Sequence, residues 1–164
     1  MPSPDYNRED SVEQILEKMT TLDADLEDDI IKAFRDNEIV SEWARDVESM
    51  KQEAENLRAT DPRRVRDREW RSSWRGIWSN RRLADAKLDI AKCWVTFSSY
   101  NAQIAMFRCD ACRMSVQRSA RIKAAVDDFE GRYMQLGMAL RNTDGLLGGI
   151  QGAYAVISDI AHGR

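Results

Sequence analysis

Between Leu83 and Met114 the apolar residues recur with a regularity that few folds can satisfy. Leu83, Ile90, Phe97, Ile104 and Ala111 are seven apart, and Ala86, Cys93, Tyr100, Phe107 and Met114 each follow by three. Alternating steps of three and four put one stripe of a helix against a neighbouring helix. Burying each large side chain of such a stripe is worth about 1.5–3 kcal/mol. A chain carrying this seam has to find helical partners for it, within itself or in another copy.

The rest of the sequence supplies them. From Glu9 to Arg58 there is neither Pro nor Gly, and apolar residues recur at Val12, Leu16, Met19, Leu22, Leu26, Ile30 and Ala33. After the polar patch Arg35-Asp36-Asn37-Glu38 they resume at Val40, Trp43, Val47, Met50, Ala54 and Leu57, so the patch kinks or splits this helix. Thr60-Asp61-Pro62 is the strongest punctuation, because Asp suits a helix N-cap and Pro its first position. It predicts a turn followed by an antiparallel return. Near Ser115 the seam slips: Met114 to Ile122 is eight residues, with Ser115 or Ser119 placed to cap a new helix. That helix carries Ile122, Val126, Phe129, Tyr133, Leu136 and Leu140, and ends by its turn chemistry at Asn142-Thr143-Asp144-Gly145. Leu147, Ile150, Tyr154, Ile157 and Ala161 mark a last amphipathic segment.

The expected fold is therefore all-α. It is an elongated antiparallel helical hairpin extended to a three- or four-helix bundle with coiled-coil-like seams. Residues 1–8 form a flexible tail and 9–164 a single helical domain, with helices near 9–58, 62–112, 116–142 and 146–161. A helix of 50 residues spans about 75 Å.

Charge is distributed unevenly. Residues 1–61 hold 18 Asp/Glu and 7 Lys/Arg, and residues 62–164 hold 10 and 18, for a total of −3. Folding back at 60–62 sets the arginines of 63–82 beside Glu38, Glu42, Asp46, Glu48, Glu53 and Glu55, in pairs worth a few tenths of a kcal/mol each. The stretch from Pro62 to Arg82 also holds Trp70, Trp74 and Trp78, four apart, beside Arg64, Arg68, Arg71 and Arg75. Guanidinium groups fork onto phosphates and indoles stack on bases, so this stripe is a candidate surface for a protein partner or for RNA or single-stranded nucleic acid. The bland alternative is a tryptophan seam turned into the core. An acidic total charge weighs against nucleic acid.

Trp74-Arg75-Gly76 spells the W-x-G tripeptide that a family of small secreted helical hairpins carries in its turn. Here it falls on an expected helix, the chain is longer than those hairpins, and the residue four beyond Tyr154 is Ser158 rather than an acid. The tripeptide is read as a coincidence and assigns no family.

Gly145, Gly148, Gly149 and Gly152 form a second candidate, a small-residue segment for close helix packing or for membrane contact. The uncharged window Gly145–Ser158 is too short to span a bilayer, and the first ten residues have no apolar run of the signal-peptide kind. An odd count of 3 Cys fits free thiols in the cytoplasm.

Parts for catalysis are scarce. Cys109-Asp110-Ala111-Cys112 is a CxxC, suited to a redox pair or half a metal site, but Cys93 and His162 do not complete four ligands by spacing. His162 is the one histidine and lies two residues from the end. No P-loop or dinucleotide fingerprint occurs. The sequence thus predicts no catalytic, metal or cofactor-binding residues, and a non-enzymatic helical interaction or self-assembly protein that forms homo-oligomers. The alternatives are nucleic-acid binding through 62–82 and peripheral membrane contact through 145–161.

Overall fold

The computed structural model describes residues 9–163; the expected tail at 1–8 lies outside them. The chain is all-α, with three long helices packed as an up-down bundle in which α1 and α3 both lie on α4. Helix α1 is Glu9–Thr60, α2 Arg68–Ser73, α3 Asn80–Cys112 and α4 Val116–Ala161. Among the described residues the only bridge of β type is an isolated one between Arg75 and Trp78.

The apolar seams face inward as their spacing predicts. Leu83, Ile90, Tyr100, Ile104, Phe107 and Ala111 of α3 are buried, as are Leu26, Val40, Trp43, Val47 and Met50 of α1. The polar patch 35–38 does not interrupt α1. Asn37 is instead used: its Nδ2 donates to Thr143 Oγ1 at 3.0 Å.

Two helix boundaries differ from the sequence reading. The expected break at 142–145 is absent, and α4 runs through it as one helix. Thr143 is buried to 3% exposure between Leu140 and Leu147, so it continues the three-four spacing as a polar member of the seam. The expected helix 62–112 is not one helix. Residues 61–79 form a folded connector, with a 3-10 turn at Arg64–Arg66 and the short α2, before α3 starts at Asn80. Gly76 has φ +85, a left-handed conformation that no α-helix contains and that glycine adopts without strain. Ser79 then caps α3, its Oγ accepting from the Arg82 amide at 3.1 Å. Ser115 does the same for α4, accepting from Arg118, which settles which serine caps at the seam slip.

The chain groups into two compact units. Unit 1 comprises residues up to Phe34 with Cys93–Ala139, and unit 2 comprises Arg35–Lys92 with Leu140 onward.

In unit 1 Phe97 stacks on Tyr133 with ring centroids 4.2 Å apart. Arg132 bonds Asp23 and Glu27, and Arg108 bonds Asp127 and Glu130. Tyr100 is 4% exposed and donates its hydroxyl to Asp29. Burial first, then the bond to Asp29 and the negative charges of Asp29, Asp25 and Asp28, push the phenol above its ordinary value of 10.0. The folded pKa thus lies above the unfolded one, so this contribution to stability is complete below pH 10 and declines as pH rises above it. Urea midpoints compared between about pH 7 and about pH 11 should fall further for the wild type than for Tyr100→Phe. Equal falls would show that Asp29 does not hold the neutral phenol.

Candidate interaction surface

The connector of unit 2 is anchored by its apolar residues. Val65 is fully buried and Trp70 is 4% exposed, both against Met50, Ala54, Ile157, Ile160 and Ala161. Leu57, Trp74, Ile77 and Trp78 pack on the same cluster. Trp70 meets Trp74 edge-on at 6.5 Å and donates its Nε1 to Glu53 at 3.0 Å.

A second anchor closes the far end of the connector. The Ile77 carbonyl accepts from Trp43 Nε1 at 2.9 Å and also from the Tyr154 hydroxyl. The Tyr154 oxygen in turn accepts from the Ser79 amide at 3.1 Å. Trp78 stacks on the Tyr154 ring at 4.9 Å. Burial raises the Tyr154 phenol above its ordinary value, and the Ser79 amide opposes this. Arg82 lies over the Trp43 ring at 4.2 Å and donates to the Gly76 carbonyl at 3.1 Å. Trp74-Arg75-Gly76 is therefore held in the turn leading into α3, not on a helix as the spacing suggested.

The tryptophans and arginines part company here. Trp70 is buried and Trp74 and Trp78 are half-buried, while Arg64, Arg68, Arg71 and Arg75 are all exposed. The two residue types do not form neighbouring stripes of one helix, because α2 stops at Ser73 and Trp74 follows its end. Nor do the arginines pair with the α1 acids as hairpin counting predicts. Among the described residues no ion pair joins Arg64, Arg68, Arg71 or Arg75 to a carboxylate. The groove beside them, about 590 Å³, is of mixed sign: Glu53, Asp61, Asp67 and Glu69 line it with Arg64. The Trp74 Nε1 is enclosed without a hydrogen-bond partner among the described residues.

The four glycines of α4 are all exposed, and nothing lies within 4 Å of where a Cβ would stand on Gly145, Gly148, Gly149 or Gly152. None of the described residues makes the close approach that their spacing permits. The neighbouring Ile150, Ala153, Tyr154 and Ile157 are buried in unit 2.

Elsewhere Cys109 and Cys112 are exposed free thiols, and the half-buried Cys93 has Lys32 Nζ at 3.7 Å. His162 Nδ1 lies 2.6 Å from the Ser158 carbonyl. The described residues contain no group of three or more His, Cys, Asp or Glu able to hold a metal ion, and no helix long and apolar enough to cross a membrane. Unit 1 has a groove of about 340 Å³ between α1 and α3, lined by Ile15, Leu22, Met106 and Phe107, with Lys18 and Asp110.

The chain matches no family model, no curated protein and no solved structure.

Proposed function

We propose that this is a non-enzymatic helical interaction protein that self-associates in the cytoplasm, with the 61–79 connector as its contact surface. The observation that carries this reading is the division of labour in the connector. Trp70 and Val65 fix it to the core, and four exposed arginines project from it without carboxylate partners among the described residues. Charges left uncompensated on a fixed element favour encounter with a complementary surface.

Exposed arginines also favour the nucleic-acid reading, but the inward tryptophans leave it little stacking area. Membrane contact through 145–161 would have to draw Ile150, Tyr154 and Ile157 out of the core, forfeiting about 1.5–3 kcal/mol for each.

Light scattering across a concentration series should give a mass rising above that of the 18.9 kDa chain. A pull-down from host extract, with and without nuclease, separates the alternatives. A strict monomer that recovers nothing overturns the assembly reading. A monomer whose recovered material vanishes with nuclease replaces it with nucleic-acid binding.

A further inference from the structure

We propose that the connector arginines of one copy dock on an acidic stretch of α1 in a second copy, the two meeting through unit 2 about a two-fold axis. This rests on the assembly reading above and names its partner and its contacts. The complementary surface is present on the same unit. Residues 36–48 hold Asp36, Glu38, Glu42, Asp46 and Glu48 against the one base Arg45. Glu38, Glu42 and Asp46 are exposed, repeat every four residues on one side of the helix, and make no ion pair among the described residues. The stretch has an apolar anchor as well. Ile39 stands 49% exposed among these acids, beside a groove of about 160 Å³ that Asp36, Ile39 and Asp89 help to line together with Arg82. An arginine side chain suits such a place, with its aliphatic stem on the isoleucine and its guanidinium among the carboxylates.

One unit that carries a basic element and an acidic element is self-complementary under a two-fold rotation: each arginine set meets the other copy's acids, and the contact closes at two copies. A polyanion fits less well. The indole faces that would stack on bases are turned inward. Salt sensitivity follows from the same charges, because screening at high ionic strength weakens rim ion pairs.

The test is charge exchange on the full-length chain, read by sedimentation velocity at low and high salt. The basic variant is Arg64→Glu, Arg68→Glu, Arg71→Glu and Arg75→Glu together. The acidic variant is Glu38→Arg, Glu42→Arg and Asp46→Arg together. Every substituted side chain is exposed, and circular dichroism checks that each variant is folded; an Arg→Gln set of the same four positions gives a milder version of the first. Wild type is expected to dimerise, with the dimer weakened about tenfold or more by high salt. Each variant alone is expected to be monomeric. Mixed, the two restore a dimer, because both contacts then pair opposite charges again. A dimer that persists in the arginine variant overturns this contact and leaves the assembly reading standing on another face. Two monomeric variants that do not recombine also overturn it. A wild type that stays monomeric overturns both, and salt-sensitive retention of single-stranded RNA by that monomer would put nucleic acid in the second copy's place.

Discussion

Replacing Trp43 by alanine is expected to cost about 3–5 kcal/mol of unfolding free energy, the range for emptying a buried aromatic site. Trp43 is 2% exposed, so little of its area is left to water in the folded chain. Three further contacts disappear with the ring: the bond to the Ile77 carbonyl, the edge contact with Tyr154 at 6.4 Å, and the face on which Arg82 lies. Ile77 keeps one donor, Tyr154, so its carbonyl is not left bare. Trp43→Phe retains most of the packing and gives up the indole bond, for about 1–2 kcal/mol. Urea denaturation followed by circular dichroism measures both. A local consequence accompanies the global one, since the clamp fixes the connector. Trypsin should cut after Arg64, Arg68, Arg71 or Arg75 faster in Trp43→Ala than in a variant of equal global stability altered elsewhere. A loss below about 1 kcal/mol, or unchanged cleavage, would mean that Trp43 does not secure the connector.

The clamp shows where reading the sequence succeeds and where it stops. The seam of α3 is legible because every seven residues the helix returns the same face to its neighbour, and that periodicity needs no knowledge of the partner. The connector is not legible in this way. Trp70, Trp74 and Trp78 at spacing four imitate a helical stripe, yet Trp74 lies beyond the end of α2, and Gly76 turns the backbone left-handed two residues later. All three still turn toward the core, through a different backbone path. Thr143 misleads in the opposite direction: flanked by Asn142, Asp144 and Gly145 it looks like a turn, and only the bond from Asn37, 106 residues away, shows it as part of a seam. Hairpin counting from residue 60 fails for a related reason. It assumes an immediate return, whereas α3 begins at Asn80, so the arginines are spent on the connector and not on a helix beside the α1 acids. The outward arginines, the inward tryptophans and the Tyr154 bonds depend on partners far apart in the chain, and no local spacing encodes them.

Alanine at Gly145, Gly148, Gly149 and Gly152 together is expected to stabilise the protein by about 2–4 kcal/mol. Each glycine in a helix interior costs about 0.5–1 kcal/mol against alanine through the freedom it retains when unfolded. All four lie inside α4, are exposed, and have no atom within 4 Å of the new methyl, so nothing offsets that gain. The same change at Gly137, on the same helix, should go the other way. A Cβ there would stand 2.8 Å and 2.9 Å from Phe97 Cε2 and Cζ. The Phe97 ring has no easy retreat, being stacked on Tyr133 and met edge-on by Trp94 at 5.2 Å, so overpacking of about 1–3 kcal/mol is expected. Opposite signs for one chemical change on one helix separate backbone entropy from contact. The quadruple variant also tests the small-residue segment as an interface. If its stability rises and it still dimerises as the wild type does, the glycines make no close contact in the assembly. If its stability rises while the dimer is lost, the methyl groups have closed a gap that a second copy occupies, and the glycine face of α4 belongs to the interface.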